Sequence, residues 1–223
     1  MSWFTLPGAA GAAPAAWKVA GYHVLHAGGK PPPLETAVQY LLAANGLFKR
    51  ARCPYFEAVV PVGIFPAPLP GLAAIAPGVR LAMPRLPAAW LDWALQAARL
   101  ACRGGRRELM LQVVVRGRRV CLELPAQQAS AMHLAFREAE GGDRLCDLHS
   151  HHELAPSFSS IDDRDEGSLR FYAVLGRIFT RPTMRLRLGV YGHWLALPAA
   201  ALFRSAGPFE DAYREGGDGA TAA

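Results

Sequence analysis

One stretch limits the fold more than any other. After Pro87 the chain runs AAWLDWALQAARLAC and halts at Gly104-Gly105. Leu91, Leu95, Ala98 and Cys102 recur at spacings of three and four, so they line one face of a helix. The chain beyond the glycines is β-rich. ELMLQVVV meets RRVCLEL across a turn at Arg116-Gly117, the pattern of a hairpin. A break at Gly141-Gly142 precedes a strand-like RLCDLHSH, and LRFYAVLGRIF and MRLRLGVYGHWLAL close the series with Arg181-Pro182 between them. AQQASAMHLAF is expected to be a short helix or loop. The expectation is a mixed α/β (α+β) sheet domain over residues 84–204.

Upstream, GYHVLHA, LFKRA and FEAVVPVG read as short strands separated by Pro and Gly. LETAVQYLLAAN, after three prolines and before Asn45-Gly46, reads as a short helix. Residues 1–83 are therefore expected to form a small α+β N-terminal domain, with a loose Ala, Gly and Pro stretch over 1–17. Residues 205–223 are polar and Gly-rich and are expected to be a disordered tail. No period of 20–50 residues marks a repeat array.

Composition narrows the class. The chain of 223 residues is 52% hydrophobic and 19% charged, which excludes a disordered polymer. Ala58 to Val79 carries no charge, but Pro61, Pro66, Pro68, Pro70 and Pro77 remove too many N–H donors for a membrane span. The N-terminus shows no basic region ahead of an apolar core, so no secretory leader is expected. Cys53, Cys102, Cys121 and Cys146 form no C-x-x-C pair and read as buried free thiols of a reducing, cytoplasmic compartment. A net charge of +6 admits nucleic acid or an acidic partner. Arginine is scattered, however, with only small clusters at Arg103–Arg107 and Arg116–Arg119. Trp90 and Trp93 are expected to be packing residues and His193 a satisfied core or edge histidine, while His23 and His26, three apart, fall on different faces of a strand and do not suit a shared metal.

Residues 145–166, LCDLHSHHELAPSFSSIDDRDE, crowd three histidines among carboxylates. On a strand, His149 and His151 share a face and Ser150 points away. Two imidazoles so spaced can share one metal ion. Catalytic zinc uses three protein ligands and an open position, and Asp162 in the next loop is available as the third. A plainer reading stands beside this one. The histidines would be ordinary sheet residues, and Ser159-x-x-Asp162 or Ser160-x-x-Asp163 would cap a helix. For Asp162 the two are compatible, because an acid on a first helical turn is well held.

Taken together, the spacing H-x-H-x7-S-x-x-D, present as HSHHELAPSFSSID, resembles the JAMM (MPN+) zinc metalloprotease family. The resemblance implies a mixed sheet flanked by helices, of cytidine-deaminase-like type. It also implies zinc bound by His149, His151 and Asp162, with the Ser159 hydroxyl supporting the tetrahedral intermediate. The family's general base is a Glu on the strand after the first helix. Glu108 occupies that place, with Glu123 on the next strand and Glu153 in the site loop as rivals. His152 stands where many members have Pro, and Asp163 beside Asp162 is a second candidate carboxylate.

Beyond the motif, LLAANGLFKRAR, DDRDE, YAVLGRI and LRLGVYGHW resemble the A-protein family of bacterial PRTRC (ParB-related, ThiF-related cassette) systems over most of the chain. That resemblance implies a peptidase or isopeptidase acting on a ubiquitin-like tail or conjugate, alongside a ThiF-like adenylating partner. Two other expectations remain: a non-catalytic binding module of the same fold, and a DNA-associated protein like the RadC group.

Overall fold

Alternating apolar residues and tight turns build most of this chain into strands. A computed structural model describes residues 2–6, 18–129, 134–137 and 141–214. In chain order the strands begin with β1 (Ser2–Thr5), β2 (Lys18–Val24), β3 (Thr36–Ala43), β4 (Gly46–Cys53), β5 (Phe56–Ile64) and β6 (Gly78–Leu81). After helix α1 (Ala89–Ala101) come β7 (Met110–Arg116), β8 (Arg119–Glu123), β9 (Gln127–Ala129), β10 (Leu134–Phe136) and β11 (Asp143–Ser150). Helix α2 (Ser160–Asp165) precedes β12 (Arg170–Gly176), β13 (Thr183–Gly189), β14 (Trp194–Leu197) and β15 (Glu210–Asp211). The result is a sheet-rich α+β architecture, consistent with the expected fold class.

The main sheet runs β1-β8-β7-β11-β12-β13-β14, with β15 beside β13. A second sheet runs β2-β3-β4-β5-β6, and β9 and β10 form a hairpin. Three expectations change here. LETAVQYLLAAN is no helix: β3 is held between parallel β2 and antiparallel β4. Asn45-Gly46 closes a tight hairpin rather than stopping a helix, with Ala43 paired to Gly46 across it. A Cβ on Gly46 would collide with the Gly63 carbonyl, so the turn needs glycine. AQQASAMHLAF contributes the β9–β10 hairpin, residues 130–133 lying outside the described residues.

Segments near both ends of the chain are built into the main sheet. Ser2–Thr5 adds an edge strand to β8, and Phe4 packs against Trp90 with ring centroids 5.7 Å apart. Residues 7–17 and 215–223 lie outside the described residues. Within the expected tail, Phe209 is buried and Glu210–Asp211 pairs with β13, because one apolar side chain anchors the segment.

One apolar core joins the two sheets. Trp90, Leu91, Ala94, Leu95 and Ala98 of α1 pack with Leu111 and Val113, Cys146 and Leu148, Phe171 and Ala173, and Leu186 and Leu188 from the main sheet. Ala51, Phe56, Ala58 and Val60 of the second sheet join the same cluster. Each fully buried Leu or Phe is worth roughly 1.5–3 kcal/mol, so this face carries most of the folding free energy. Trp93 faces out, so only Trp90 serves as the core residue expected of the pair. Cys146 is buried and the other three thiols are partly exposed. No helix among the described residues is long and apolar enough to cross a membrane.

The opposite face of the main sheet is polar. Register aligns Glu123, Gln112, Asp147, Tyr172 and Arg187 across five strands. Asp147 accepts from Gln112 Nε2 at 3.0 Å and from Arg170 Nη1 at 3.0 Å, which satisfies a buried carboxylate. β11 and β12 run parallel, with α2 on the crossover between them. The open end of such a unit, beyond the strand's carboxyl end, is where side chains can converge without competing with the core.

Candidate metal centre

His149 is the penultimate residue of β11 and lies two residues from Asp147, so it faces the polar side. His151 lies just beyond the strand and keeps the same side. Their Nε2 atoms lie 3.1 Å apart. Ser150, between them, turns inward, and its hydroxyl accepts the Leu109 N–H at 3.0 Å. That bond, with Ser150 N–H to Leu109 O at 3.0 Å, fixes the end of β11 to the start of β7. Gly176 at the end of β12 lets the loop after His151 pass overhead, since a Cβ there would strike Leu154 and Pro156.

Asp162 arrives from α2. Ser159 is the N-cap: its Oγ accepts the Asp162 N–H at 3.2 Å and donates to Asp162 Oδ2 at 2.7 Å. The Ser159 N–H also donates to Oδ2, at 2.6 Å. Both arms of a capping box are therefore present, and they hold Oδ2. The other oxygen, Oδ1, lies 3.6 Å from His149 Nε2. One carboxylate oxygen thus caps α2 while the other faces His149.

The three donor atoms of His149, His151 and Asp162 lie within 4.8 Å of one another, the one such trio among the described residues. Ligands placed tetrahedrally at about 2.0 Å from an ion sit about 3.3 Å apart. The observed 3.1 and 3.6 Å fit that spacing. Protonation states suit it too. Burial holds the His149 imidazole down at about 4 and also lowers His151, so each neutral ring has a nitrogen lone pair to offer. Burial pushes the Asp162 carboxyl up, but His149, the Ser159 bonds and His151 together outweigh it and keep the carboxylate ionised.

Residues 93–189 match the family model described as prokaryotic homologs of the JAB domain. This match supports a JAB/MPN-type domain from within α1 to the end of β13. No curated protein matches the chain. The matched stretch contains the four residues of the H-x-H-x7-S-x-x-D spacing, His149, His151, Ser159 and Asp162, and also Glu108.

Within the JAB-type stretch the acidic candidates separate. Glu108 directly precedes Leu109 and β7. The β7–β11 ladder pairs Met110 with His149 and then Leu109 with Ser150, so its next step sets Glu108 level with His151. Glu123 is engaged by Arg116, with Nε to Oε1 at 3.0 Å and Nη2 to Oε2 at 2.9 Å. Glu153 is half-exposed and pairs with Arg106 at 2.6 Å. Asp163 turns away from the histidines and accepts from Arg187 Nη1 at 2.6 Å. His152 is buried with a left-handed backbone, φ 35°, and forms no part of the converging trio.

Residue spacing did not single out Arg187, Glu166 or the Asp147–Arg170–Gln112 network. The one signal for Arg187 is an arginine at alternate positions of the otherwise apolar MRLRLG. Burial raises the Glu166 carboxyl to about 8, outweighing the opposite pull of Arg187. Arg187 Nε and Nη2 both reach Oε2, at 2.8 and 2.5 Å, a geometry that favours the ionised form. Oε2 accepts both donors whether or not Oε1 carries a proton.

Proposed function

We propose that the chain is a zinc-dependent peptidase or isopeptidase of JAMM type. Its substrate in this reading is a ubiquitin-like tail or conjugate, and a ThiF-like cassette protein is its functional partner. The observation that carries the reading is the convergence of His149, His151 and Asp162 at 3.1 and 3.6 Å. A non-catalytic module of the same fold would have no use for two neutral imidazoles, one buried and one partly buried, gathered beside one ionised carboxylate. The four free thiols suit a reducing, cytoplasmic setting.

Zinc bound there would supply a Lewis acid and ease the loss of a proton from water near neutral pH. His149 and His151 would hold the zinc through Nε2, and Asp162 through Oδ1. Glu108, level with His151 on the same face, takes the proton from the attacking water and delivers it to the leaving amine. Ser159 supports the centre through its contact with Asp162 and offers a hydroxyl to the developing oxyanion. No covalent intermediate on the protein is required.

Glu108→Gln tests this assignment. The variant is expected to retain bound zinc while its cleavage of a ubiquitin-like protein carrying a C-terminal extension falls by about 10²–10⁴-fold. Unchanged cleavage would remove Glu108 from the role of base.

A further inference from the structure

We infer that Arg187 is a positioning residue for the metal centre: it clamps α2 to β13 and thereby holds the Asp162 carboxylate against the two histidines. The inference rests on the metal reading above.

α2 needs such a clamp. It has six residues and buries none of them. A helix this short gains too little from its own hydrogen bonds to persist unaided. The capping box secures only its first turn. Arg187 secures the rest, from a strand of the same sheet that carries His149. Its Nη1 donates to Asp163 Oδ1 at 2.6 Å, and its Nε and Nη2 donate to Glu166 Oε2 at 2.8 and 2.5 Å. Its guanidinium carbon lies 3.8 Å from the Phe158 ring centroid and 5.0 Å from that of Trp194. These contacts bracket Asp162: Phe158 precedes the N-cap, Asp163 is the residue after the ligand, and Glu166 is the C-cap. Trp194 Nε1 adds a bond to Glu166 O at 3.2 Å from the neighbouring strand. Arg187 is itself buried and sits in the polar row of the sheet, opposite Tyr172. A planar fork between two carboxylates and two rings fixes orientation as well as distance, which a lysine cannot reproduce.

Charge and position predict opposite signs for its removal. The positive charge of Arg187 disfavours a second positive charge at His149. Electrostatics alone therefore predicts that Arg187→Ala tightens binding of a divalent cation, the more so because Asp163 and Glu166 lose their counter-charge. Loss of the clamp predicts the reverse.

The test is a Co2+ titration of the purified, metal-free full chain, read by visible absorption, with circular dichroism to confirm folding. Arg187→Ala is expected to weaken Co2+ binding by about 10–100-fold, the range for residues that orient metal ligands. Arg187→Lys keeps the charge but can bridge only one carboxylate, and its affinity should fall between wild type and Arg187→Ala. Arg116→Ala breaks a comparable pair with Glu123 on the far side of β11 and should leave affinity unchanged. Arg187 variants that bind Co2+ as tightly as wild type, or more tightly, overturn the clamp. So does an equal loss in Arg116→Ala, which would mark a general effect of destabilisation. If Arg187→Ala does not fold, Arg187→Lys decides by the same criterion. A wild-type chain that binds no Co2+ defeats the metal reading itself, a result distinct from any of these.

Discussion

α1 runs for 13 residues and buries Trp90, Leu91, Ala94, Leu95 and Ala98, whereas α2 runs for six and buries none. Apolar area holds the first. A capping box, two ion pairs and two ring contacts with one arginine hold the second. Apolar burial is strong and non-directional, so it builds the scaffold and tolerates small shifts. Charge-assisted contacts contribute less net stability but fix orientation, which a ligand carboxylate requires. The division matches the two faces of the sheet: the apolar face receives α1, and the polar face carries the histidines and Arg187.

Cutting into α1 should have the largest effect on stability and none on the site's intrinsic chemistry. Leu91→Ala is expected to cost about 2–5 kcal/mol in urea unfolding, while the folded variant binds metal as wild type does. A matching loss of metal affinity would erase the contrast between the helices.

Acid should act on the site. His149 takes up its proton at about 4 when folded, against an ordinary 6.5, chiefly because it is buried. Between those values the unfolded chain binds more protons than the folded one. The metal-free chain therefore loses stability as pH falls from 6.5 to about 4, by on the order of 3 kcal/mol. His149→Ala should flatten that slope in pH-dependent denaturation, and an unchanged slope would show that the site histidines are not what acid attacks.

Removing the cap on α2 is the gentlest perturbation. Ser159→Ala should cost about 0.5–2 kcal/mol of stability and also weaken metal binding, because the same hydroxyl holds Asp162 Oδ2. A stability loss with unaltered metal affinity would separate capping from ligation.

The contrast also explains what could be read from sequence. α1 was legible because burial leaves a helical period in Leu91, Leu95 and Ala98. β3 was not: LETAVQYLLAAN has apolar residues enough for either period, and the Asn45-Gly46 signal serves a hairpin as well as a helix end. The convergence of His149, His151 and Asp162 was legible because a β-strand alternates and an N-terminal helical turn has fixed geometry, so H-x-H and S-x-x-D carry their own spacing. Glu108 stands above its rivals in the sequence only through the resemblance, which asks for a Glu on the strand after the first helix; the ladder from Met110 to Leu109 adds that it lies level with His151. Arg187 left almost no trace. Its role depends on three segments that meet only after folding, and scattered arginines elsewhere mask it.

The functional reading stands or falls on whether His149, His151 and Asp162 form a zinc site. Elemental analysis of the purified full-length chain, before and after zinc reconstitution, tests it most directly. The expected result is about one zinc per chain, lost in the His149→Ala, His151→Ala double variant while the fold persists. A folded chain that holds no zinc after reconstitution, or a double variant that keeps it, would contradict the zinc site.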